Sequence, residues 1–174
     1  MDNSIFKSFE EGLSKYLPST ISEILETKQD KNVYAIGFIT TDDFYGFYIT
    51  YEYASEKNSH DMLYEHYEWK NSCHPKPDYL YQPLVDVVEA TENIDFTEKS
   101  DEKWDFGLAL LTVLAKHIKQ VPNEIFTKSK HNREDIVFFA TMSDGDYMDE
   151  MFTESLKMFN NISTLEKYGI ATQQ

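Results

Sequence analysis

Four residues near the middle of the chain carry donor atoms suited to metal or nucleophilic chemistry: His60, His66, Cys73 and His74. A structural zinc ion takes sulfur and imidazole donors in tetrahedral geometry, usually from pairs a few residues apart. These four do not follow that spacing, and adjacent Cys73 and His74 are awkward ligands for one ion. The segment therefore predicts no metal site, and its histidines read as solvated loop residues. A thiol–imidazole nucleophile would need a histidine to take the thiol proton and a third group to orient the ring. His117 is the candidate to approach Cys73, but no spacing brings it there, and a small semi-buried cysteine is the commoner outcome.

Ser143-Asp144-Gly145-Asp146, with Asp149 and Glu150, has the composition of a calcium loop. An EF-hand needs oxygen ligands at alternate positions, a central glycine and a closing glutamate, and here Tyr147 and Met148 stand where ligands should be. Acidic residues at the start of a helix complement its dipole and cap its free N–H groups, which is the reading this segment supports. The chain has no nucleophile elbow, phosphate loop or dinucleotide fingerprint, and its six glycines are widely scattered. No catalytic residue and no cofactor is indicated.

One concentration of residues exceeds background. Eight of the twelve tyrosines lie between Phe44 and Tyr81, together with Trp69, interleaved with Asp42, Asp43, Glu52, Glu56, Asp61, Glu65, Glu68 and Asp78. Tyrosine and tryptophan give large amphipathic contact area at binding hot spots, and carboxylates steer a basic partner. Asp42, Asp43, Tyr48 and Trp69 are the candidate partner-binding residues; strand residues such as Tyr45 and Phe47 read as core. The whole chain has 31 acidic against 16 basic residues, a formal charge of −15, which repels nucleic acid and anionic membranes and favours a basic protein.

The elements that must position these residues follow from periodicity. Ile5, Phe6, Phe9, Leu13, Tyr16 and Leu17 have helical spacing, with Asn3 or Ser4 as cap and Pro18 ending the run; Ile21, Ile24 and Leu25 continue it as a second helix or beyond a kink. Val33 to Thr40 is apolar on both alternating sets, Val33/Ala35/Ile39 and Tyr34/Ile36/Phe38, as in a strand covered on both faces. Thr41-Asp42-Asp43 supplies turn chemistry, and Phe44 to Tyr53 forms the second arm of a hairpin. Tyr64 to Trp69 predicts a further short strand. Helices are expected from about Tyr81 to Thr91, with Pro83 in the first turn, and from Asp101 to about Gln120. In the latter, Trp104, Leu108, Leu111, Leu114 and Ile118 form the face that should meet a sheet containing Ile36, Phe38 and Phe138. Ile136 to Thr141 reads as an interior strand, and a last helix, capped by Asp146, carries Met148, Met151, Phe152, Leu156 and Phe159 and stops at Asn160-Asn161.

The 174 residues suit one domain, 1–174, of α+β class, with a mainly antiparallel sheet and flanking helices. Met1-Asp2-Asn3-Ser4 carries no basic leader, no apolar run approaches the length of a membrane span, and the single cysteine precludes an internal disulfide. A cytoplasmic location is expected.

Tyr34-Ala35-Ile36-Gly37-Phe38-Ile39-Thr40-Thr41-Asp42-Asp43, Tyr67-Glu68-Trp69, Glu134-Asp135-Ile136-Val137 leading through Ser143-Asp144, and the closing Ser155-Leu156-Lys157-Met158-Phe159-Asn160-Asn161 together resemble the bacterial domain of unknown function numbered 4303. The likeness spans nearly the whole chain. It implies bacterial origin and carries over neither an activity nor a functional residue. By analogy of size, charge and class, the expected function is a non-enzymatic protein-binding domain akin to an acidic toxin-immunity protein. The alternative is a small hydrolase or transferase with a cleft near His74 and His117. Neither oligomeric state nor partner identity follows from the sequence.

Overall fold

The computed structural model describes residues 3–28, 30–54, 63 and 65–170. Its centre is a four-stranded sheet of β1 (Val33–Thr40), β2 (Phe47–Tyr53), β3 (Asn71–Cys73) and β4 (Val137–Met142), in spatial order β3-β2-β1-β4. β1 runs antiparallel to β2, β2 antiparallel to β3, and β1 parallel to β4. The class is α+β with a mostly antiparallel sheet, as the sequence predicts, and the one parallel pair arises because several helices intervene before β4.

All eight residues of β1 are buried, which its two-sided apolar pattern requires. The faces differ from strict alternation. Val33 pairs with Tyr53 and Ala35 with Glu52, so Tyr34 is an extra residue in the ladder. This bulge puts Tyr34 on the same side as Ala35 and Ile39, while Val33 joins Ile36 and Phe38 on the other.

α1 (Lys7–Glu26) runs unbroken through Pro18, after a 3-10 turn at Asn3–Phe6. Of the two outcomes the sequence left open at Pro18, a second helix or a continuation, the chain takes the continuation. Phe9, Leu13 and Leu17 before the proline and Ile21, Ile24 and Leu25 after it bury against one core, and that shared burial outweighs a backbone bond lost to the imide. The Ser19 and Thr20 hydroxyls donate to the Tyr16 carbonyl beside the interruption, at 2.8 and 3.0 Å.

α2 (Gln82–Ala90) has Pro83 in its first turn, and α3 (Asp101–Gln120) begins at Ser100, whose hydroxyl accepts from the Lys103 N–H at 3.1 Å. Leu111, Leu114 and Ile118 of α3 join Ile36, Phe38 and Phe138 in one core, as expected. Trp104 and Leu108 are only half-buried: Trp104 packs against the margin of that core, its ring stacked on Tyr147 at 5.1 Å. Phe106, Gly107 and Leu110 take the inward positions instead, along with the fully buried Lys103.

Two short helices were not legible in the sequence, α4 (Asn123–Lys128) and α6 (Ile162–Lys167), each only six residues long. The expected strand at 64–69 is absent from its described part: His66–Glu68 form a 3-10 turn, and the short edge strand is β3 instead. α5 (Met148–Phe159) ends at Asn160, as predicted, but its N-cap is Tyr147 rather than Asp146, and no side chain caps it. α5 runs along the outer edge of β4, burying Phe152 and Leu156 with one core cluster and Met151 and Phe159 with the other. Among the described residues, no helix is long and apolar enough to cross a membrane.

Candidate functional site

The loop joining β1 to β2 is held by a residue whose backbone resists it. Phe44 has φ of 59°, a conformation that costs a bulky residue energy. Its ring is fully buried, 5.5 Å from the Phe106 ring and close over Gly107, and this burial holds the loop in place. Around that anchor, Asp43 and Tyr45 lie half-exposed. The Asp43 carboxylate takes the Thr41 hydroxyl and the Tyr45 N–H, the latter at 3.4 Å, so one oxygen organises the turn.

The opposite wall is the segment after β3. Gly46 makes the approach possible: a Cβ there would lie 2.7 Å from Tyr81 Cα and 2.9 Å from the Leu80 carbonyl oxygen. With only hydrogen at that position, the Phe47 N–H reaches Leu80 O at 2.9 Å and ties the two segments together. Asp78 Oδ1 accepts the Tyr81 N–H at 3.0 Å, which fixes the turn leading into α2.

Between these walls is a cleft of about 320 Å³ whose lining includes Asp43, Tyr45, Tyr48, His74, Asp78 and Tyr81. Tyr48 and Tyr81 are 41% and 50% exposed, unusually open for large rings. Burial of the Tyr48 hydroxyl still pushes its pKa up. Two residues singled out from sequence, Asp43 and Tyr48, thus meet His74 in one cavity.

The other two lie elsewhere. Asp42 Oδ2 pairs with Lys103 Nζ at 2.7 Å, and Asp42 Oδ1 accepts the Asp146 N–H at 3.1 Å. It joins the β1–β2 loop to α3 and to the turn before α5, where Gly145, at φ of 110°, leaves no room for a Cβ beside the carboxylate. Trp69 does not line the cleft: it is half-buried on the sheet face that carries Tyr34, Ala35 and Ile39, edge-on to Tyr34 at 6.0 Å and to Phe139 at 5.7 Å.

The histidine and cysteine candidates scatter too. His60 lies outside the described residues. His66 sits 5.7 Å edge-on to Phe139, with Nδ1 3.2 Å from the Leu63 carbonyl. Cys73 is half-buried on β3, and burial, followed by the Glu23 charge, pushes its thiol pKa up, away from nucleophilic character. His117 does not line the cleft that holds His74. It is buried on α3 with Nε2 3.7 Å from Glu10 Oε1 of α1, beyond hydrogen-bond reach. Among the described residues, no three of His, Cys, Asp and Glu gather as a metal would require.

Tyr45, which the sequence assigns to the core, packs against it but also lines the cleft, and Asp78 and Tyr81, within the aromatic and acidic segment, were not among the four candidates. The signal that could have found them is Gly46 between two aromatics, which marks a close backbone approach, together with Asp78 three residues before Tyr81. No protein-family model, curated protein or solved structure matches the chain, so the cleft's own chemistry has to carry the functional reading.

Proposed function

We propose that the chain is a non-enzymatic binding domain whose partner is a basic protein, in the manner of acidic proteins that neutralise or escort a toxic one. The observation that supports this most directly is an open cleft with two carboxylates and three tyrosines on a chain of net charge −15. Long-range charge would speed encounter with a cationic surface, and exposed rings would lengthen the life of the complex. The same charge disfavours nucleic acid and anionic lipid as partners. A single cysteine with no disulfide partner suits a cytoplasmic setting.

A hydrolase or transferase built on His74 and His117 would need both imidazoles within reach of one substrate. Only His74 lines the cleft, so the binding reading is preferred.

The test is capture on the immobilised chain from extracts of its source cells, followed by association kinetics of the captured protein across ionic strength. A basic protein whose association slows steeply with added salt is the expected result. Capture of no basic protein, or of one whose association is indifferent to salt, would overturn the proposal.

A further inference from the structure

The geometry points to the cleft between the β1–β2 loop and the 74–81 segment as a receptor for a single guanidinium group, the side chain of an arginine on the partner. This rests on the protein-binding reading above and says which chemical group that partner presents.

Three observations converge on it. The first is the treatment of tyrosine rings across the molecule. Tyr16, Tyr53, Tyr147 and Tyr168 each have a lysine of the same chain near the ring, Lys15 at 4.9 Å, Lys28 at 4.8 Å, Lys99 at 4.8 Å and Lys167 at 5.7 Å from the centroid. Among the described residues, the three tyrosines of the cleft, Tyr45, Tyr48 and Tyr81, have no such cation, no ring neighbour and no hydrogen bond from the phenol. Among the described residues, the rings of Tyr48 and Tyr81 are therefore open to a cation from outside, with Tyr45 half-exposed beside them; Tyr67 is more exposed still and also without a lysine, but it lies outside the cleft with the His66 ring 6.2 Å away.

The second observation is the state of the carboxylates. Asp43 and Asp78 each spend Oδ1 on loop backbone, at Tyr45 and Tyr81, and Oδ2 of each has no partner among the described residues. The backbone bonds hold each carboxylate in place before any ligand arrives, so little ordering is left to binding. A guanidinium presents several N–H donors in one plane and can bond carboxylate oxygens while its face lies on an aromatic ring; a lysine ammonium is a strongly hydrated point charge that does this less well.

The third is size. About 320 Å³ is at the small end for ligand pockets, enough for one long side chain and too little for a large cofactor.

The test uses N-acetyl-argininamide as probe, titrated into the isotopically labelled full chain and followed by amide NMR, with N-acetyl-lysinamide and N-acetyl-citrullinamide alongside. The arginine compound should give saturable, low-millimolar shifts clustered at the amides of 41–48 and 74–81. The lysine compound should bind more weakly and the uncharged citrulline compound not at all. Asp43→Asn with Asp78→Asn keeps the oxygens that accept from Tyr45 and Tyr81 but removes both charges, and should weaken argininamide binding by about tenfold or more. Tyr48→Phe keeps a ring and should bind, whereas Tyr48→Ala should bind markedly less; unchanged spectra away from the cleft establish that each variant is folded. Non-saturating shifts, shifts spread over the acidic surface, equal response to lysine or citrulline, or wild-type affinity in the carboxylate variant would each overturn the assignment. If argininamide misses the cleft while a basic protein is still captured, the guanidinium site falls and the binding reading stands. If it saturates the cleft and no basic protein is captured, the reverse holds.

Discussion

The side-chain amide of Asn160 does the work of a fifth strand: it accepts the Phe138 N–H at 2.8 Å and donates to the Phe138 carbonyl at 2.6 Å. Two residues along β4, the Ser155 hydroxyl accepts the Ala140 N–H at 2.7 Å and lies 2.9 Å from the Ala140 carbonyl. β4 is an edge strand, and an open edge invites pairing with other chains. Here α5 closes it. Asn160→Ala orphans a buried donor and acceptor and should cost about 2–3 kcal/mol in urea unfolding, in keeping with the penalty for unsatisfied buried polar groups. It should also raise the tendency to aggregate. A loss below ~0.5 kcal/mol, the scale of surface changes, would contradict the edge-closing role.

Asp42 and Lys103 form the pair that fastens the cleft-bearing loop to α3. Lys103 is wholly buried, so Asp42→Asn leaves a charge with no counter-ion and should cost about 3 kcal/mol. That is the low end for buried pairs, because Asp42 keeps roughly a third of its side chain in water. Adding Lys103→Met should return much of the loss. A double variant no more stable than Asp42→Asn alone would show that the pair is not what the single change disturbs.

Leu111 is completely buried at the centre of α3, against the sheet. Leu111→Ala should destabilise by roughly 2–5 kcal/mol, the range for truncating a core leucine. A thermal or denaturant shift equivalent to less than ~1 kcal/mol would move α3 out of the core.

Trp69 and Tyr48, paired as binding candidates by sequence, should part experimentally. Trp69 covers Tyr34 and Phe139, so Trp69→Ala should lower stability by about 1–3 kcal/mol, less than a fully buried aromatic would. Tyr48 stands open at the cleft, and Tyr48→Ala should leave stability within ~0.5 kcal/mol while raising the dissociation rate of the partner. Equal stability losses in the two variants would refute the distinction.

His117 should make stability depend on pH. Burial first, and then the Lys116 charge, hold its pKa below the ordinary value of 6.5. The native state therefore favours the neutral ring, and below about pH 6.5 the unfolded chain takes up a proton that the folded chain resists. The stability gained from the neutral ring is complete above that pH and shrinks on acidification until the lowered folded pKa is passed. Glu10 adds a slope of the same sign at lower pH, because its hydrogen bond to Lys116 draws its pKa down from 4.5. Denaturation curves from pH 7.5 to pH 5 should show wild type losing stability and His117→Gln losing less. Parallel profiles would exclude His117 as the source.

Elements set by local pattern could be read from sequence alone. α3 ran to its stated ends because Ser100 caps it and Pro122 follows it, and both act within a turn of the boundary. Val33 to Thr40 announced a strand buried on both faces because both alternating sets were apolar. Where a residue's role depended on what lay across the core, sequence failed. Whether Pro18 ended α1 was left open by the sequence, and packing on both sides of it, which outweighed one lost backbone bond, decided for continuation. The bulge at Tyr34 exchanged the sides of Val33 and Tyr34, because register is decided by the partner strand. The site divided in the same way. The enrichment of tyrosine and carboxylate between Phe44 and Tyr81 was visible as composition, but one-dimensional order treated Asp42 and Asp43 alike. Only the tertiary structure turned Asp42 inward to Lys103 and left Asp43 beside Tyr48 and Tyr81, because a carboxylate's role is set by the charge it meets across 61 residues of chain and not by its neighbour in sequence.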